Sequence, residues 1–296
     1  MPHALALWQD RRGNLSWLRV ATLAVLVFPA GLALFDFSRN ALGGRPLNEV
    51  IHRTGWWALV FLLASLAVTP LRRAGRFAKL IDVRRMIGVA AFAYAAIHLG
   101  LYITDQNFNL VKVATEIVSR IYLTIGFVAL LGLAALAITS NDTMVKKLGG
   151  LRWRQLHQVA YLITVLALVH YFQQTKADVS VPMAYAGVFG WMMAYRFLAR
   201  WRGEDALGPL ALLSLAFAVS LLTFAAEAMF IALKFGQPVL DFLPLYFATV
   251  FDPSLGIRPG WWVLLAGVLV AALETVRGLM ERRTMASRRP AMVRTS

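Results

Sequence analysis

The chain has 296 residues, of which 59% are hydrophobic, with a mean hydropathy of +0.63 and a net charge of +15 from 30 basic and 15 acidic side chains. Soluble domains are roughly half apolar, so this content, gathered in runs of about 20, excludes an ordinary soluble fold. The absence of cysteine excludes disulfides, thiolate iron–sulfur ligation and c-type haem attachment, and leaves His, carboxylate or Met for any metal.

The basic residues lie between the apolar runs, where they report membrane topology rather than nucleic-acid binding. A helix rising about 1.5 Å per residue needs about 20 residues to cross a hydrocarbon core of about 30 Å, and a lone strand would leave its backbone unpaired in lipid, so the runs are helices. In chain order they predict spans at about 16–35, 48–69, 85–104, 120–139, 154–174, 181–200, 208–234 and 260–280. The first is too long for the apolar region of a cleaved leader, and no small-x-small site follows it, so it reads as a retained span. With the N-terminus inside, 22 of the 30 lysines and arginines fall in cytoplasmic segments and 8 outside, which predicts an inner-membrane protein with both termini in the cytoplasm. The connections are too short for a separate domain, and neither G-x-G-x-x-G nor G-x-x-x-x-G-K-[ST] occurs, so no nicotinamide domain is built in. Trp56, Trp57, Trp153, Trp191, Trp201, Trp261 and Trp262 cluster at expected span ends, as an aromatic belt does.

Five histidines punctuate this pattern. His3 falls in the N-terminal tail, and His52 opens the second span at its outer end, where it reads as interfacial rather than ligating. His98 lies 14 residues beyond Arg84 on the third span, and His170 lies 16 beyond Arg154 on the fifth. On parallel helices these spacings place both imidazoles roughly 21 and 24 Å from the cytoplasmic ends. Two neutral imidazoles at one depth meet the requirement of six-coordinate haem iron, with apolar walls to exclude water. Neither has a third His or carboxylate near it in its own span, which disfavours zinc or copper.

His157, three residues beyond Arg154, sits near the cytoplasmic face and about 19.5 Å along the axis from His170, a separation that suits two stacked sites. A straight helix turns these two side chains about 140° apart, so a local bulge or a different approach is required. The residue 14 before His98 is Arg84, which is always protonated and a poor iron ligand, so the inner site has no obvious second histidine. The competing reading of each histidine is helix packing, hydrogen-bonded to Ser, Thr or carbonyl groups.

Glu227 in the seventh span is an intramembrane carboxylate, open to a proton or quinol role or to a snorkelled or neutral packing role. Asp241, Asp252 and Arg258 lie in a Pro-rich outer loop, where solvated loop charge is the plainer account and contact with a periplasmic partner the alternative.

The motifs Arg84-Arg85-x2-Gly88, Phe92-Ala93-Tyr94-Ala95-x2-His98-x3-Tyr102, Thr139-Ser140 and Leu148-Gly149-x3-Trp153-x2-Leu156-His157-x3-Tyr161-x8-His170-Tyr171 follow one another in order. Together with His52-x-Thr54-Gly55, Phe61-Leu62-Leu63 to Thr69-Pro70-Leu71 and Arg120-x-Tyr122-x-Thr124-x-Gly126, they closely resemble the MsrQ family, formerly YedZ, of the ferric-reductase-like transmembrane superfamily, over about residues 10–200. The resemblance implies an all-α integral membrane bundle of about eight helices. Residues 1–204 would form the six-helix haem-binding domain, and residues 205–296 an extension of two further spans. It implies an electron-transfer subunit rather than a catalytic one, carrying haem b with FMN also associated. Electrons would pass from the quinone pool or a cytoplasmic flavin reductase to a periplasmic molybdopterin enzyme of the MsrP type that repairs methionine sulfoxide in oxidised proteins. Carried over by position, His98 and His170 would be the outer haem ligands and His157 an inner one, while Arg84 stands where oxidase relatives have a fourth histidine. Arg84 or Arg85 pairing a haem propionate and plain positive-inside signalling are the two readings of that pair. The rivals are a haem reductase with a ferric or quinol-linked partner and a haem-free transporter or scaffold, the latter opposed by the lack of an internal repeat or of paired Gly/Pro-broken spans.

Overall fold

The structure, a computed structural model, describes residues 7–9, 13–175, 178–203 and 207–288. His3, Arg11, Arg12, Lys176, Arg289, Arg294 and the expected boundary at 204/205 lie outside them. The described residues form twelve α-helices and no strand: α1 (Trp17–Ser38), α2 (Pro46–Ala74), α3 (Ile81–Asp105), α4 (Leu110–Ser119), α5 (Ile121–Ile138), α6 (Asp142–Leu148), α7 (Gly150–His157), α8 (Ala160–Gln174), α9 (Ser180–Arg202), α10 (Pro209–Lys234), α11 (Val239–Thr249) and α12 (Pro259–Arg288). Among the described residues, seven helical segments are long and apolar enough to cross a membrane: α1, α2, α3 with the 3-10 turn before it, α5, α7 with α8, α10 and α12. The protein is a multi-pass, all-α membrane protein.

The expected sixth span is α9, 23 residues long, whose apolarity is diluted by Ser180, Pro182, Tyr185, Tyr195 and Arg196. Trp191, Met192 and Tyr195 are buried along it, and a helix enclosed by neighbours can carry more polarity than one facing lipid. Trp191 is therefore a core residue rather than part of an aromatic belt. Among the described residues, three helices, α4, α6 and α11, occupy stretches that the sequence leaves as connections. Asn109 caps α4 by accepting from the Lys112 N–H at 3.0 Å, and α11 is too short to span.

The chain divides into two compact units, one of Met1–Val68 with Lys79–Thr175 and one of Thr69–Ala78 with Lys176–Ser296. Contacts thus group α9 with α10 and α12, and the division falls well before 204/205.

In the first unit, Phe61 and Leu62 of α2, Ala91 of α3, Leu133 of α5 and Ile163 of α8 form one buried cluster. Pro29 lies inside α1, where its ring disturbs the hydrogen-bond ladder. Tyr94 of α3 meets that turn: its hydroxyl donates to the Leu26 carbonyl at 2.8 Å and accepts from the Ala30 N–H at 3.0 Å. The backbone groups beside the proline are thereby satisfied without water. Between His157 and Ala160 the expected fifth span breaks, with Val159 N donating to Leu156 O at 3.1 Å in a three-residue turn. That turn interrupts the straight helix in which His157 and His170 would stand about 140° apart.

In the second unit, α9, α10 and α12 pack on one another. A Cβ at Gly187 of α9 would sit 2.5 Å from both Thr223 Oγ1 of α10 and a methyl of Val263 on α12, so only glycine permits this approach. Glu227 of α10 is fully buried. It accepts from the Tyr246 hydroxyl of α11 and from Ser180 Oγ at 3.3 Å, and lies 3.5 Å from Arg258 Nη1. Snorkelling is therefore corrected to an internal ion pair. Arg258, read from sequence as solvated loop charge, turns inward because the loop folds α11 across α10 and gives the guanidinium both a carboxylate and the Tyr246 ring, 5.5 Å away. Asp241 and Asp252 remain exposed.

Candidate functional site

His98 of α3 and His170 of α8 face each other across the first unit, their ring centroids 6.4 Å apart and their planes at 83°. They line a cavity of about 690 Å³ whose walls include Leu59, Leu62, Ala129 and Leu133 and whose rim carries Asn48, His52 and Arg53. Each ring is held by a backbone carbonyl. His98 Nδ1 donates to Ile51 O at 2.7 Å, and His170 Nδ1 donates to Tyr122 O at 2.7 Å. In the neutral imidazole this fixes the tautomer and leaves Nε2 of each ring as a lone pair.

One construction is used twice. The carbonyl acceptor is followed four residues later by a glycine, Ile51 by Gly55 in α2 and Tyr122 by Gly126 in α5. A Cβ at Gly55 would lie 2.9 Å from His98 Nδ1, and one at Gly126 would lie 2.8 Å from His170 Nδ1 and Cε1. The missing side chains open the notches through which the imidazoles reach the helix backbone. Sequence reasoning does not find Ile51 or Tyr122, since they act through their main chains. The available signal is a glycine inside an apolar helix, where it costs stability unless something approaches closely.

Two imidazoles bound to one metal at about 2 Å each, with roughly 1.1 Å from nitrogen to ring centre, would have centroids about 6.2 Å apart. The observed separation, the free Nε2 lone pairs and the apolar cavity therefore fit the two axial positions of a haem iron. His52 is exposed at the rim, and no hydrogen bond or ring contact among the described residues joins it to the pair.

His157 ends α7 and is not brought to a second histidine. Its Nδ1 donates to Trp153 O at 3.0 Å, its Nε2 lies 3.2 Å from Ser140 Oγ, and its ring stacks on Trp153 at 3.9 Å. Trp153 Nε1 in turn donates to Thr139 O at 2.8 Å, so this tryptophan and Ser140 form a seat for the ring. Arg84 and Arg85 bring positive charge to its neighbourhood. Arg85 is engaged by Asp142 of α6 at 2.7 Å.

Residues 54–168 match the family described as ferric reductase like transmembrane component. A relative from Rhodospirillum rubrum is 40% identical over 191 residues, 64% of this chain and 89% of its own length. One from Herminiimonas arsenicoxydans is 35% identical over 202 residues, 67% and 92%, and one from Xanthomonas oryzae pv. oryzae is 42% identical over 158 residues, 53% and 72%. Each bears the name protein-methionine-sulfoxide reductase heme-binding subunit MsrQ. The chain belongs to the MsrQ family. No solved structure matches it.

Proposed function

We propose that this chain is the haem-b-binding electron-transfer subunit of a methionine sulfoxide reductase system, set in the bacterial inner membrane with both termini in the cytoplasm. The observation that carries the reading is the His98–His170 pair, its ring centroids 6.4 Å apart on one apolar cavity and each ring anchored to a backbone carbonyl through Nδ1. When bound, the haem supplies a one-electron carrier inside the membrane. His98 and His170 would both ligate its iron, which would suit electron transfer rather than substrate binding at the metal. The Ile51 and Tyr122 carbonyls fix the tautomers and raise ligand basicity, and the leucine and alanine walls exclude water.

The proposed donor is the quinone pool or a cytoplasmic flavin reductase, and the acceptor is a periplasmic MsrP-type molybdopterin enzyme that repairs oxidised proteins. FMN is a second proposed cofactor, with no residues assigned to it. His157 offers one imidazole and no histidine partner, so we adopt one fully ligated haem as the working stoichiometry. Residues 1–204 are proposed as the haem-binding domain and 205–296 as its extension. Proteoliposomes test the whole reading. Quinol-dependent reduction of a methionine-sulfoxide protein is expected only when this chain and the periplasmic enzyme are both present, whereas reduction of ferric citrate without that enzyme would favour the metal-reductase rival.

Two further outcomes follow from the geometry. Gly55→Ala and Gly126→Ala each push an imidazole off its carbonyl, and each is expected to weaken haem retention by about ten-fold or more, measured as haem per protein after purification. Wild-type retention in both would remove the notches from the account. Arg84 or Arg85, which bring positive charge to the neighbourhood of His157, would pair the propionate of a haem at that inner position. Arg84→Ala is expected to lower the haem-to-protein ratio, and an unchanged ratio would leave Arg84 as a topology signal alone.

A further inference from the structure

The second unit holds a cavity separate from the histidine site. It lies where the last turn of α2 and the segment after it meet the far end of α12 and the first turn of α10, and it has a volume of about 720 Å³. Arg72, Arg73, Arg76, Arg277 and Arg282 line it, with Glu274 as the acidic member. Glu281 binds Arg76 Nη1 at 2.5 Å and lies 3.5 Å from Arg277 Nε. Among the described residues, five guanidinium groups against these two carboxylates leave an excess of positive charge facing one space. The first residue of the 26-residue helix α10, Pro209, borders the same space, and a helix start adds partial positive charge.

Guanidinium forks match phosphate oxygens two at a time, so the ligand class is a phosphate ester. Position decides between a soluble and a lipid source. The arginines stand at the ends of α2 and α12, both long and apolar enough to span, at the level where headgroups lie. Leu207, Leu212 and Leu279 give the cavity an apolar side, and Leu279 is 54% exposed, an outward path for an acyl chain. A Cβ at Gly278 would meet nothing within 4 Å, so this part of the cavity is open.

We infer that this arginine-lined cavity binds the headgroup of an anionic phospholipid. The inference is independent of the proposed haem.

The test uses the full chain, purified in neutral detergent, stripped of lipid and offered phosphatidylglycerol, phosphatidylcholine, inorganic phosphate or FMN, with retention read by native mass spectrometry. Phosphatidylglycerol is expected to be retained about ten-fold better than phosphatidylcholine and to resist displacement by inorganic phosphate or FMN. Arg277→Gln with Arg282→Gln is expected to cut that retention about ten-fold at unchanged helix content. Gly278→Trp, which fills the cavity and keeps every arginine, is expected to do the same. Equal retention of the two lipids, phosphate or FMN held in place of lipid, or undiminished retention in the folded variants overturns the inference. Should the double variant not fold, the lipid preference of the unaltered chain and Gly278→Trp still decide it.

Discussion

Replacing either His98 or His170 with alanine is expected to abolish the low-spin haem spectrum of the purified protein, whereas His52→Ala is expected to leave it intact. The two rings are not interchangeable with any neighbour. No other histidine among the described residues contacts the pair, and His157 is tied to Trp153 and Ser140. If the pair holds the haem iron as proposed, losing one of its two imidazoles would remove the strong-field set that produces a low-spin iron, so partial retention of the original bands is not expected. The control is informative because His52 borders the same cavity and shares its surroundings without facing the pair. If His52→Ala erased the spectrum and His98→Ala preserved it, the assignment of the axial pair would be wrong.

The second large effect is on stability. Glu227 is completely buried, and its partners are Arg258, Tyr246 and Ser180. Removing one member of a buried pair strands the other charge away from water, at a cost of about 3–5 kcal/mol. Glu227→Ala and Arg258→Ala are each expected to lower stability by that amount, read from denaturant or thermal unfolding in detergent. Removing both charges together is expected to cost clearly less than the two single losses combined, because nothing is then left unpaired. Single variants within about 1 kcal/mol of the parent would instead return Glu227 to the proton or quinol role that its position in an apolar span first suggests.

Ionisable residues inside apolar runs stand out in a sequence, which is why His98, His170 and Glu227 are legible from the residues alone. Helical rise is enough to pair the two histidines by depth. What their side chains touch is less legible, because it depends on groups that carry no mark. Ile51 and Tyr122 act through carbonyls, and Gly55 and Gly126 act through an absent Cβ. Arg258 and Tyr246 reach Glu227 only because a loop folds back, and α11, with Pro244 inside it, is too short for span-length patterning to find. Neither Gly nor Pro marks the turn at Gln158–Val159, yet the spacing of His157 and His170 already requires a distortion there. The placement of α9 with α10 and α12 is hidden for a similar reason, since it rests on the small residue Gly187 rather than on hydrophobicity.

The most direct measurement is the absorption spectrum of the protein purified from haem-replete cells, oxidised and then reduced with dithionite. The His98–His170 pair predicts a coloured protein with the sharpened bands of a low-spin b-type haem on reduction, near one haem per chain. A colourless, haem-free preparation that is otherwise folded and monodisperse would contradict it.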